Sequence, residues 1–192
     1  MNAFLLSTAV IFVAELGDKS QLMAMTFATR YRVRDVLIGI TAATAVVHLA
    51  SVAIGAAVGS AFADYQGAIS VVAGLAFLGF AVWTLRGDEL TEDEAAKARR
   101  STGAAILAVG VAFFLAELGD KTMLATITLA TQEGWLGTWI GSTVGMVAAD
   151  ALAIGAGALL GRALPERTIR YGAAALFALF GLLLVAEGLG WF

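Results

Sequence analysis

Apolar residues run through this chain in six long stretches, about 4–29, 36–60, 67–86, 104–130, 135–160 and 169–190, separated by polar connections. Each is long enough to supply the roughly 20 apolar residues that a helix needs to cross the hydrocarbon core of a bilayer. The pattern predicts an all-α integral membrane protein with six transmembrane helices. Composition agrees: of 192 residues 60% are hydrophobic and only 14% charged, where a soluble domain carries about 25% charged residues. Mean hydropathy is +0.87. The first stretch has no basic leader and is interrupted by Glu15, Asp18 and Lys19, so it reads as a retained span and not as a signal peptide.

Lys and Arg fall in alternate connections: Arg30, Arg32 and Arg34; Arg86, Lys97, Arg99 and Arg100; Arg162, Arg167 and Arg170. The remaining connections and both termini hold none. By the positive-inside rule these three loops face the cytoplasm and both termini face out. Trp135, Trp139 and Trp191 fall near the predicted outer ends, where interface anchors are expected. The expected location is the plasma (inner) membrane of a prokaryote.

Within the first and fourth stretches the chain repeats itself. Glu15-Leu16-Gly17-Asp18-Lys19-Ser20 returns 102 residues later as Glu117-Leu118-Gly119-Asp120-Lys121-Thr122. A further echo, Ala53-Ile54-Gly55 with Ala153-Ile154-Gly155, lies at an offset of 100. The chain therefore reads as two three-helix repeats, 1–86 and 104–192, joined by a charged cytoplasmic linker at 87–103 that is acidic first and basic last. An odd number of spans per unit makes the two repeats enter the membrane in opposite directions. Such inverted repeats place a substrate site near the midplane of many secondary transporters. Glycines four apart (Gly55 and Gly59; Gly137, Gly141 and Gly145; Gly157 and Gly161) mark where helix backbones approach closely in lipid.

Charges at bilayer depth cost roughly 2.5 to 3.5 kcal/mol each on the mildest insertion scales, so a functional role is the default reading of the two motifs. On continuous helices Glu15, Asp18, Lys19 and Leu22 would form one stripe and Glu117, Asp120, Lys121 and Leu124 another. If the stripes meet, four carboxylates and two ammonium groups leave a formal charge of -2, which one divalent cation neutralises. Carboxylate oxygens are hard ligands for Ca2+, Mg2+ or Mn2+, and Gln21, Ser20 and Thr122 offer further oxygens. Met23, Met25 and Met123 lie near enough that a softer transition metal would also be served. Buried carboxylates this close cannot all stay ionised once the metal leaves, so they take up protons. Two protons against one divalent ion is the charge balance of an antiporter. Lys19 and Lys121 are expected to compensate charge through i,i+4 pairing with Glu15 and Glu117, without ligating metal. Gly17 and Gly119 serve either to loosen the helix or to pack against a neighbour.

Two more polar residues lie within spans: His48 in the second and Asp150 in the fifth, close in the repeat without superimposing. Each is a candidate proton relay or a hydrogen-bonded helix contact. Glu187 lies near an outer end, where water reaches it. There are no cysteines, which removes disulfides, thiolate metal sites and cysteine nucleophiles from consideration.

Two copies of Glu-hydrophobic-Gly-Asp-Lys-Ser/Thr, one per three-helix half with a charged linker between, resemble uncharacterised protein family 0016, which includes the Golgi Gdt-type cation/proton antiporters and the bacterial MneA-type manganese exporters. The resemblance covers the whole layout of the chain. It implies metal binding by Glu15, Asp18, Glu117 and Asp120, and movement of Mn2+ or Ca2+ out of the cytoplasm in exchange for protons. It implies a transported metal and not a resident cofactor; the partners are that ion, protons and lipid, with no nucleic acid and with room for a homo-oligomer. The family's usual Gln after Ser/Thr is kept as Gln21 but replaced by Met123 in the second copy, which bears on Mn2+ against Ca2+ preference. Two other classes compete. An exporter of amino acids or small organic cations would need a roomier, apolar-lined site. An aspartyl intramembrane protease would pair two aspartates, and the extra glutamate and lysine in each motif fit that chemistry poorly.

Overall fold

The computed structural model describes residues 2–86, 105–160 and 166–191. Among them the chain is helical, with no strand. The helices are α1 (Ala3–Glu15), α2 (Lys19–Ala28), α3 (Val33–Ala61), α4 (Gln66–Arg86), α5 (Ala105–Glu117), α6 (Lys121–Ala130), α7 (Trp135–Leu160) and α8 (Glu166–Gly188), with a 3-10 turn at Ala63–Tyr65 before α4. The linker at 87–103, with Lys97, Arg99 and Arg100, lies outside the described residues, as do Gly161 and Arg162.

Four segments are long and apolar enough to cross a membrane as single helices: Val33–Ala61, Ala63–Arg86, Trp135–Ala158 and Arg170–Gly188. α3, at 29 residues, is about 44 Å long. The other two expected spans are not continuous helices. Stretch 4–29 is divided into α1 and α2, and stretch 104–130 into α5 and α6, each time inside the charged motif. The cause is local: Gly17 has φ 75° and Gly119 φ 78°, left-handed backbone that no helix continues through and that glycine adopts without a Cβ penalty. No atom lies within 4 Å of a Cβ placed on Gly119, so that glycine serves the break and not close packing.

Helix starts recur at one spacing: Lys19 and Lys121, Val33 and Trp135 are each 102 residues apart. Packing is reciprocal at the same spacing. Gly39 of α3 abuts the Ile106 carbonyl of α5, and Gly141 of α7 abuts the Phe4 carbonyl of α1. Gly55 meets Ile127 of α6, and Gly157 meets Met25 of α2, which contributes its Sδ. Gly137 and Gly145 complete the α7 stripe against Ala3 and Thr8 of α1, and α4 packs along α8 through Gly74 and Gly181. Except at Gly157, whose neighbour is the flexible Met25 side chain, a Cβ at these glycines would collide with backbone. Small residues thus set the interhelical distances, as expected where lipid supplies no hydrophobic drive between helices.

Phe27, Phe77, Phe113 and Phe177 are among the largest fully buried side chains, while Leu107, Val72, Leu115 and Leu182 are among many large apolar groups on the outside. Burial is reversed from a water-soluble protein only on the surface: the exterior is apolar, and the interior holds the polar groups. Trp135 and Trp191 are exposed as interface anchors would be. Trp139 differs from expectation, because its indole N–H donates to the Ala45 carbonyl at 2.9 Å and ties α7 to α3.

Candidate ion site at the paired helix breaks

Each break places its acidic residues at helix ends. Glu15 is the last residue of α1 and Asp18 the N-cap of α2; Glu117 ends α5 and Asp120 caps α6. Neither cap aspartate bonds its own helix through its side chain, so both carboxylates are available to point elsewhere. The continuous stripe expected from i, i+3, i+4 spacing does not exist, because the turn at Gly17 or Gly119 intervenes.

Ser20 and Thr122 hold the glutamates. The Ser20 hydroxyl donates to Glu15 Oε1, and the Thr122 hydroxyl donates to Glu117 Oε2 at 2.9 Å. Gln21 bridges: its Oε1 accepts from the Gly17 N–H at 2.8 Å, and its Nε2 donates to the Ala149 carbonyl of α7 at 2.8 Å. In the second copy the Gly119 N–H is met by the Met123 sulfur at 3.2 Å. A thioether accepts weakly and donates nothing, so no counterpart of the bond to α7 can form.

Each lysine meets an aspartate of the other motif, a partner beyond the i,i+4 pairing expected from spacing. Lys121 Nζ lies 2.6 Å from Asp18 Oδ1, both side chains essentially buried. Lys19 Nζ lies 3.9 Å from Asp120 Oδ1, with Lys19 20% exposed. These are the same contact seen from each motif, one tight and one loose. Glu15, Asp18, Glu117 and Asp120 are all buried, and the charges of Glu15, Glu117 and Asp18 act directly on one another. One oxygen of each glutamate, Glu15 Oε2 and Glu117 Oε1, has no hydrogen-bond partner among the described residues.

Asp150 belongs to the same electrostatic neighbourhood: it acts on Glu15 and Glu117, and Asp18 acts on it. It is fully buried on α7, and neither carboxyl oxygen is hydrogen-bonded among the described residues. The 102-residue register of helix starts carries His48 of α3 onto Asp150, so the two are counterparts after all. Both ring nitrogens of His48 are likewise buried without a partner there. Asp150 is visible in the sequence as an intramembrane carboxylate, but its membership of the cluster is not. Its one local signal is the adjacent Ala149, which the Gln21 amide seizes.

Among the described residues, no group of three or more His, Asp or Glu side chains stands close enough to hold a metal ion. Hard oxygen ligands stand at the two breaks, and a lysine meets the aspartate at each.

The family described as divalent cation/proton antiporter GDT1 matches residues 3–92 and 105–191. The chain belongs to the GDT1 family. That family consists of membrane cation transporters and not of enzymes, so the intramembrane protease reading is set aside. Among GDT1 relatives, a Vibrio cholerae protein whose name proposes manganese export is 36% identical over 95% of this chain and 90% of its own length. A GDT1-like protein of Synechocystis is 29% identical over 95% of this chain and 96% of its own. A chloroplast GDT1-like protein of rice is 31% identical over 94% of this chain. The chain spans 60% of that plant protein's length. No solved structure matches the chain.

Proposed function

We propose that this chain exports a divalent cation, Mn2+ in preference to Ca2+, in exchange for protons, through a site formed where the two helix breaks meet. The observation that carries the reading is the crossed pairing of Lys121 with Asp18 and Lys19 with Asp120. It sets the acidic ends of both motifs in one buried volume, although they stand about a hundred residues apart in the chain. The name of the Vibrio relative favours Mn2+.

In this mechanism Glu15, Asp18, Glu117 and Asp120 are the metal ligands, and Ser20, Thr122 and Gln21 supply or orient further oxygens. The four carboxylates and two ammonium groups carry -2 together, so one divalent ion or two protons leaves the same charge. The unpartnered oxygens of Glu15 and Glu117 are where the protons would sit. Asp150 relays protons into the cluster, with His48 as its opposite number. The reciprocal glycine contacts support two inverted repeats, 1–86 and 104–192, each contributing three spans with the broken helix as its first. Broken helices lining such a site are a recurrent device of inverted-repeat transporters. The arginines of the 30–34 connection, Arg86 and Arg167 to Arg170 then face the cytoplasm of a prokaryotic cell, with both termini outside.

The test is flux in proteoliposomes under an imposed pH gradient, with Mn2+, Ca2+ and Mg2+ offered in turn. Mn2+ uptake should dissipate the gradient, and Glu15→Gln or Asp120→Asn should abolish it. Undiminished flux in both variants removes the site. Transport of amino acids in place of metal ions would favour the organic-cation reading.

A further inference from the structure

Each motif's lysine lies against a carboxylate that would otherwise be open to a cation. The ammonium of Lys121 is 2.6 Å from a carboxylate oxygen of Asp18, and Lys19 faces Asp120 at 3.9 Å. In both cases the lysine comes from one motif and the carboxylate from the other. Local charge compensation needs no such crossing, because Glu15 and Glu117 are nearer in sequence. Neither Asp18 nor Asp120 bonds its own helix through its side chain, and Ser20 and Thr122 already occupy one oxygen of each glutamate. The result is a set of hard oxygens of which each aspartate is met by an ammonium group and, among the described residues, no three carboxylates gathered. An ammonium is a compact point charge on a flexible four-carbon stem, so it can both fill a cation's place and withdraw from it.

We propose that Lys19 and Lys121 are tethered stand-ins for the transported cation. In the metal-free carrier each ammonium bridges to the opposite motif and holds the two breaks together across the site. An incoming divalent ion displaces them, draws the carboxylates in, and releases them again when it departs. The two pairs are not equally closed: the Lys121 side is short and buried, whereas the Lys19 side is longer and partly exposed. The metal therefore enters by displacing Lys19 first. This rests on the transport reading above and adds to it a role in the return of the metal-free carrier, the half of the cycle in which no metal bridges the halves.

The experiment compares two fluxes in proteoliposomes, using Mn2+ as the probe. Net proton-driven Mn2+ uptake requires the metal-free carrier to return; exchange of labelled for unlabelled Mn2+ at equilibrium does not. For Lys121→Gln, net uptake should fall at least about tenfold further than self-exchange, while equilibrium Mn2+ binding to the purified protein tightens, about tenfold corresponding to 1.4 kcal/mol. Lys121→Arg, which keeps the charge, should recover part of the net flux. A purely structural lysine would depress both fluxes together and would not tighten binding, and either result overturns the proposal. Should Lys121→Gln fail to yield monodisperse protein, Lys19→Gln, whose pair is looser, takes its place: the same gap between net uptake and self-exchange is expected, and its absence overturns the proposal equally. Wild-type protein that binds and moves no Mn2+ would instead overturn the transport reading, and with it this one.

Discussion

The two motifs share their residues almost letter for letter, yet the structure uses them differently. The first break is secured on three sides: Ser20 holds Glu15, Gln21 ties the Gly17 turn to α7, and Asp18 is clamped by Lys121 at 2.6 Å. The second has Thr122 on Glu117, but Met123 replaces the bridging amide, Asp120 meets Lys19 only at 3.9 Å, and Leu118 is 49% exposed. Helix packing is mixed: α1 packs on α8 where its counterpart α5 barely meets α4, yet α6 packs on α4 and meets α3 more extensively than α2 meets α7. The difference between the motifs therefore lies in their side-chain ties, a firm anchor in the first and a looser jaw in the second. A carrier with inverted repeats needs such inequality at any instant, because access from one side requires one half to be closed while the other is open.

The largest effect should come from the clamp. Asp18→Asn leaves the Lys121 ammonium buried without its counter-charge, a defect that typically costs about 3–5 kcal/mol. Asp120→Asn loosens a pair already long at 3.9 Å, with Lys19 20% exposed, so a smaller loss of about 1 kcal/mol is expected. Unfolding of the two variants in the same detergent should show this difference, with Asp18→Asn far less stable. Equal losses would mean that the two pairs are equivalent in solution and that the inequality is not a property of the resting protein. Mn2+ flux should vanish in both.

The glycine turns come next. Gly17→Ala and Gly119→Ala each force a Cβ into left-handed backbone, at about 1–2 kcal/mol. At Gly119 nothing surrounds the new methyl, so the penalty there is conformational alone. Gly119→Asn, which tolerates positive φ better, should recover most of the stability lost in Gly119→Ala. If the alanine variant is as stable as wild type, the stretch 104–130 is not broken as described, and the acidic side chains of that motif have no reason to leave the helix axis.

Much of this is legible in the order of residues alone. The doubled motif, its burial, the small-residue contacts of Gly55, Gly59, Gly137, Gly141 and Gly145, and the family all follow from residue type and spacing. What the spacing misreads is the motif's own geometry. Glu15, Asp18 and Lys19 fall at i, i+3 and i+4, the signature of a helical stripe, and that pattern is blind to the sign of φ at the glycine between them. Once the helix breaks there, each lysine meets an acid contributed by the other half of the chain. Contacts between Lys19 and Asp120, or Lys121 and Asp18, are properties of the assembled bundle, which no local window contains. The correspondence of His48 with Asp150 already follows from the motif's own 102-residue offset, which the Ala-Ile-Gly echo at 100 obscures and which the helix starts keep.

The smallest expected effect is also the one that bears most directly on selectivity. Gln21 and Met123 are the mismatch that changes the chemistry of the groups holding the two turns, Ser20 and Thr122 both being hydroxyls, and exchanging them tests whether the anchor and jaw differ by this residue. Gln21→Met removes the bond to Ala149, worth about 1 kcal/mol, and should loosen the first break. Met123→Gln supplies an amide that can take the Gly119 N–H and reach toward the Val47 carbonyl, the counterpart of Ala149 on α3, so stability should hold within about 0.5 kcal/mol or improve slightly. Replacing a polarizable sulfur by a hard oxygen beside the site should also move the ratio of Mn2+ to Ca2+ flux toward Ca2+, by about threefold, since a thioether favours the transition metal and an amide oxygen does not. A ratio unchanged in Met123→Gln would place Met123 outside the ion's path and leave it the turn's hydrogen-bond acceptor alone, with the looseness of the second motif then traced to Lys19 and Asp120.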